Sequence, residues 1–143
     1  MYVVIIIILH VYFKGKIANL KKTRIISFGI NQMGDDEGIK PGIHAEVDAL
    51  SKLEPLKSKK HMEKINILVI RISKKNILQS SKPCNNCIKA MNILPSKKGY
   101  QLQDIYYSDG EGRIVKSNLT YLENSEKHIS QFYRKRIHKN NNE

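Results

Sequence analysis

His44-Ala45-Glu46-Val47-Asp48-Ala49-Leu50-Ser51-Lys52-Leu53 is the stretch on which the reading of the fold turns. Ala45, Glu46, Ala49 and Leu50 are good helix formers and Pro55 stops the run, so a helix is expected from His44 to Leu53. Outward from it, Ile65 to Ile72 is a nearly continuous apolar run, the pattern of a strand buried on both faces. Ser73 to Ser81 reads as a polar loop with one apolar pair. Pro83 stands where a helix can begin, so Cys84 to Leu94 reads as a second helix, with Pro95 as its end. A helix, a strand and a second helix in this order predict an α/β domain with helices packed on a mixed sheet.

The flanks extend that sheet. Val3 to Phe13 is rich in β-branched residues, which favours a strand, although a buried helix is compatible with its length. Lys16 to Leu20 and Arg24 to Phe28 read as two short strands joined by a turn at Lys21-Lys22-Thr23. Gly29 to Gly42 reads as a loop. Asp104 to Ser108 and Arg113 to Lys116 read as strands around Asp109-Gly110-Glu111-Gly112, whose glycines can supply positive φ. That connection is too short for a parallel crossover, so these last two strands are expected to be antiparallel. Ser125 to His138 reads as a basic terminal helix and residues 140–143 as a frayed tail. The 143 residues suit a single domain, expected over residues 1–139.

Composition narrows the function classes. Ile, Leu and Val are too plentiful for a wholly disordered chain. Lys plus Arg outnumber Asp plus Glu by 25 to 13, a net charge of +12, which favours an anionic partner such as a phosphate ester or a nucleic acid. A solvated basic surface is the plainer use of the same lysines. Val3 to Leu9 is shorter than the ~20 apolar residues a membrane span takes and lacks the flanks of a secretory leader. No membrane partner is expected. With two cysteines there is no disulfide framework, and a cytoplasmic setting suits free thiolates.

Those two cysteines carry the chemistry. Cys84 and Cys87 form a CxxC after Pro83, and His44 offers an imidazole. Zinc prefers thiolate and imidazole, and a catalytic zinc leaves its fourth position to water. Placed at the starts of two helices, all three side chains would sit in the positive field of the helix N-termini, which favours thiolates. Glu46 lies two residues from His44 and is not needed as a ligand, which frees it to carry protons. A structural zinc site and a redox CxxC are the other uses of such residues, and Glu46 also reads as a solvated helix carboxylate. A thioredoxin-type site is disfavoured by Asn85-Asn86, where Gly-Pro is usual. Asp48 reads as a surface or capping group.

His44-Ala45-Glu46 followed by Pro83-Cys84-Asn85-Asn86-Cys87 resembles the motif pair of the cytidine and deoxycytidylate deaminase superfamily, which includes tRNA adenosine deaminases. The resemblance is closest over Arg24 to Leu94 and looser out to Lys116. It implies a three-layer α/β/α fold with a mixed sheet of about five strands. It also implies zinc held by His44, Cys84 and Cys87, Glu46 as the proton shuttle, and often a homo-oligomer. Gly29-Ile30-Asn31 matches a Gly-x-Asn found in many members, so by resemblance Asn31 would touch substrate; a turn residue without ligand contact is the alternative. Members usually begin with a helix that covers the sheet, whereas Val3 to Phe13 is strand-like, so about the first fifteen residues depart from the pattern.

The expected function is hydrolytic deamination of a cytosine nucleoside or nucleotide, with water delivered to C4 at zinc and ammonia released. A tight hairpin between the last strands goes, within the superfamily, with free nucleoside substrates. The +12 charge points instead to a base within RNA or single-stranded DNA. A non-catalytic zinc module is the third reading.

Overall fold

The computed structural model describes residues 3–13, 18–35, 42–58 and 60–125. Its centre is a mixed sheet of six strands: β1 (Val3–Phe13), β2 (Ala18–Ile30), β3 (Glu63–Ile72), β4 (Leu78–Gln79), β5 (Tyr100–Ser108) and β6 (Ile114–Ser117). The order is β2-β1-β3-β5-β6, with the short β4 pairing to β3. β3 and β5 are parallel, and every other pairing is antiparallel. Among the described residues three helices accompany the sheet: α1 (Ala45–Lys52), α2 (Asn85–Lys97) and α3 (Leu119–Asn124).

Residues 3–13 are a strand, as β-branching favours, and they lie between β2 and β3. The two short strands expected over 16–28 are one strand. Lys21-Lys22-Thr23 does not turn, because this segment continues the ladder with β1, where Val11 faces Thr23 and His10 faces Arg24. A continuous partner supplies backbone bonds that a local turn would forfeit. Gly29 and Ile30, read as the start of a loop, close that same strand. Of the apolar pair in the loop after β3, Leu78 opens β4, and α3 is an element that the sequence does not predict.

The second helix does not stop at Pro95. Proline forfeits one N–H in the last turn and remains helical there, fully buried. The stop comes at Gly99, whose φ of 91° is the left-handed conformation that ends helices. The expected 109–112 hairpin joins β5 to β6 antiparallel, and of its two glycines Gly112 takes a positive φ. The terminal helix expected over 125–138 and the tail fall, beyond Ser125, outside the described residues.

β3 is not buried on both faces. Ile65, Ile67 and Val69 are buried in one core with Ala49 and Leu50 of α1, Met91 of α2, Ile105 of β5 and Leu122 of α3. Leu68, Ile70 and Ile72 on the alternate face are half-buried, and Phe28 of β2 is 62% exposed. The period of two along a strand separates these sets. The described helices thus contribute to one core on one face of the sheet. Among the described residues no helix is long and apolar enough to cross a membrane.

α1 lies tight on β2. Gly29 faces Ala45 and Ala49, and Ser27 donates its hydroxyl to the Ala49 carbonyl at 2.7 Å. Small residues on both surfaces permit this approach. At the other end of α1 the Lys98 ammonium donates to the carbonyls of Leu50, Ser51 and Leu53 at 2.9, 2.6 and 2.8 Å. It satisfies acceptors that a helix C-terminus leaves open, and it ties the end of α2 to the end of α1. The opposite ends of the same helices carry the site.

Candidate functional site

His44 is the residue that caps α1 and Cys84 the residue that caps α2, both in extended backbone conformation. Neither residue makes a side-chain cap hydrogen bond, and Cys84 Sγ meets Cys87 on the first turn of α2. Their carbonyls do the local work instead, accepting from Asp48 N at 3.0 Å and Ile88 N at 2.9 Å. The side chains are therefore free to converge. Cys87, on the first turn of α2, is fully buried and completes the group.

His44 Nδ1 lies 3.2 Å from Cys87 Sγ and 3.5 Å from Cys84 Sγ, and the two sulfurs are 3.5 Å apart. A tetrahedral zinc with ordinary Zn–N and Zn–S bonds separates such atoms by roughly 3.5–3.8 Å. The triangle is within a few tenths of an ångström of that span. The cysteines are free thiols, and among the described residues these three form the cluster capable of holding a metal. Their donor set, two thiols and one imidazole, is compatible with a metal ion.

The titration of the group follows from its crowding. Cys84 is held down to about 4, first by the Cys87 thiol against its sulfur and then by His44. Cys87 is pushed up, because two neighbouring sulfurs in a buried place do not both ionise readily, and burial adds to this. His44 is raised, chiefly by its hydrogen bond to Cys84. One thiolate beside one imidazolium is thus the favoured state of the protein's own groups, and a cation arriving there displaces protons.

Glu46 is 6% exposed, two residues into α1 and in contact with the Cys87 thiol. Burial raises its pKa, opposed by its own backbone N–H and by the charge of His44. A carboxyl that accepts a proton readily beside a metal-capable triangle is suited to proton transfer.

Asp48 is not a surface residue. It is buried, and its carboxylate accepts from Ile30 N at 3.1 Å, Gln32 Nε2 at 3.3 Å and Lys52 Nζ at 2.7 Å. It grips both neighbours of Asn31, which is half-exposed just after β2. Gln32 N also bonds the carbonyl of Ile43 at 2.8 Å, next to His44. That pairing brings the segment holding Asn31 alongside the start of α1. An acid four residues before a lysine in a helix is an ordinary exposed pair by pattern alone. Its bond to a strand end far away in sequence left no local signal. Ile43, next to His44 in sequence, is exposed.

No family model, curated protein or solved structure matches the chain.

Proposed function

We propose that this chain is a zinc-dependent hydrolytic deaminase of cytosine nucleosides or nucleotides, related to the superfamily that its motifs resemble, with a further helical layer over the open face of the sheet. The observation that carries the reading is the convergence of His44, Cys84 and Cys87 beside buried Glu46. A structural zinc site has no use for a buried carboxylate that is not a ligand, and burying one is costly unless it serves. When bound, zinc supplies a water of lowered pKa. Glu46 would take a proton from the water adding to C4 of the base and give it to the ring nitrogen N3, then take the second proton from the new C4 hydroxyl and give it to the departing amine. The C4–N bond breaks, ammonia leaves and a carbonyl takes its place: one water is consumed for each ammonia released. In this reading Asn31, whose two neighbours are held by Asp48, is the residue that would touch substrate.

The charge of +12 favours a second reading, in which the base belongs to RNA or single-stranded DNA. The two share their chemistry and differ in what surrounds the base.

The test measures bound zinc and ammonia release for the wild type and Glu46→Gln, over cytosine and adenine nucleosides, nucleotides and oligonucleotides. Both proteins are expected to hold about one zinc. Glu46→Gln is expected to lose a factor of about 10²–10⁴ in turnover, the usual worth of a positioned acid–base group. Turnover of oligonucleotides alone, falling steeply with salt, selects the second reading. Zinc-loaded wild type that releases no ammonia from any member of the panel refutes both.

A further inference from the structure

The parallel strands β3 and β5 pair as far as Val69 opposite Tyr107 and then part, because β3 turns to β4, with Arg71 facing Gln79. Where a parallel sheet splits at the carboxyl ends of its strands, backbone groups lose their ladder partners and a crevice opens. Two serines occupy that split. Ser108 ends β5 with no exposed surface, and Ser81 enters from the loop after β4, 7% exposed.

They are bonded to each other four ways and to the strands around them. Ser81 N donates to the Ser108 carbonyl, and Ser108 N to Ser81 Oγ, both at 2.8 Å. The two hydroxyls lie 2.7 Å apart, and Ser81 Oγ also stands 3.4 Å from the Ser108 carbonyl. Ser81 Oγ further reaches the Val69 carbonyl at 2.8 Å, Ser108 Oγ reaches the Gln79 carbonyl at 2.7 Å, and Arg71 N approaches Ser108 Oγ at 3.4 Å. Two hydroxyl protons thus serve more than two acceptor contacts, and the serines replace ladder bonds that no backbone can make.

We infer that Ser81 and Ser108 are positioning residues for the metal centre, a hydroxyl clasp that fixes where Cys84 presents its sulfur. Ser81 is three residues before Cys84, and the link between them is stiff: Pro83 is fully buried, and its ring locks φ. Cys84 lies ahead of the first helical residue, so its place depends on this loop. Cys87 lies inside α2, whose packing through Ile88 and Met91 places it independently. A shift of the clasp therefore moves one ligand against the other two. Metal sites tolerate only a few tenths of an ångström of such error.

This inference rests on the metal-binding part of the proposed function, not on the choice of substrate. It is tested with Ser81→Ala and Ser108→Ala. Ser81→Thr serves as the variant that keeps the hydroxyl, and Ile67→Val as a core change on β3 away from the clasp. Zinc affinity is measured by chelator competition, the visible absorption of the cobalt(II) form reports ligand geometry, and a urea midpoint reports stability. The alanine variants are expected to bind zinc about 10–100-fold more weakly, the usual effect of losing a group that orients a ligand, and to alter the cobalt bands. Ile67→Val should move the urea midpoint alone, and Ser81→Thr should behave as wild type. Alanine variants that lose stability yet bind zinc within twofold of wild type, with an unchanged cobalt spectrum, overturn the inference. If alanine prevents folding, Ser81→Thr against Ser81→Val isolates the hydroxyl at constant shape, and equal zinc affinity in that pair overturns it too. Wild type that binds neither metal refutes the metal centre itself, a result distinct from an unchanged alanine variant.

Discussion

Replacing Gly29 by alanine tests how closely strand and site are coupled. A Cβ there would stand 2.3 Å from the Ala45 carbonyl oxygen, 2.4 Å from Ala49 N and 2.9 Å from Ala49 Cβ. Ordinary contact begins near 3.4 Å, so α1 and β2 must separate by about 1 Å. Two of the three atoms are backbone, and no rotamer change relieves them. Overpacking of this kind costs about 1–3 kcal/mol, here toward the upper end. Alanine also restricts the unfolded chain, which returns ~0.4–1 kcal/mol, so a net loss of ~2 kcal/mol is expected. The separation displaces His44 and Glu46, at the start of α1, from Cys84 and Cys87 on α2. The 3.2 and 3.5 Å separations from His44 to the sulfurs then no longer span one ion, and zinc affinity should fall at least ~10-fold. Urea denaturation with and without a chelator measures the first effect, and chelator competition the second. Gly110→Ala is the control: its Cβ meets nothing within 4 Å, and a change of under ~0.5 kcal/mol is expected. Gly29→Ala as stable as Gly110→Ala, with zinc affinity intact, would refute the reasoning.

Two further predictions concern the supports of α1. The Asp48 carboxyl is held below the usual carboxylate range, first by Lys52 and also by the Ile30 N–H. A depressed pKa contributes stability above the unfolded value, about 3.9, and that stability is lost as pH falls through the lower folded value. The stability gap between wild type and Asp48→Asn should therefore be flat from about pH 7 to pH 5 and close on further acidification; a gap that widens in acid contradicts the assignment. Lys98→Met keeps the aliphatic stem but leaves three carbonyls without their ammonium, at an expected cost of about 1–2 kcal/mol. Faster amide exchange should be confined at first to the last turn of α1 and residues 53–56. An unchanged urea midpoint would show that water replaces the lysine at no cost.

Much of the site's chemistry is legible in residue types and spacing. His44 and the CxxC offer imidazole and thiol donors, and their expected places at helix starts are where the structure puts them. What it adds is convergence: three side chains from two helices meet beside buried Glu46. Two of the misreadings share a cause. Lys21-Lys22-Thr23 reads as a turn until β1 lies beside it, and Pro95 reads as a stop until the last turn of α2 absorbs it. Asp48 reads as a surface acid until Ile30 and Gln32 come to it. At Lys21-Lys22-Thr23 and at Asp48 the local reading is outweighed by a partner distant in the chain.

The sequence by itself determined the ligand chemistry, the two helices that present it and the antiparallel hairpin that closes the sheet, because these depend on residues near one another along the chain: proline and glycine at element ends, helix formers in a run, donors at fixed spacing. Only the tertiary structure decided the burial of Glu46 and Asp48, the lysine that caps α1 from α2, and the pairing of Ser81 with Ser108 across the split between β3 and β5. Those depend on which backbone groups lack a partner once the sheet is assembled, and a backbone group carries no record in the sequence of who will satisfy it.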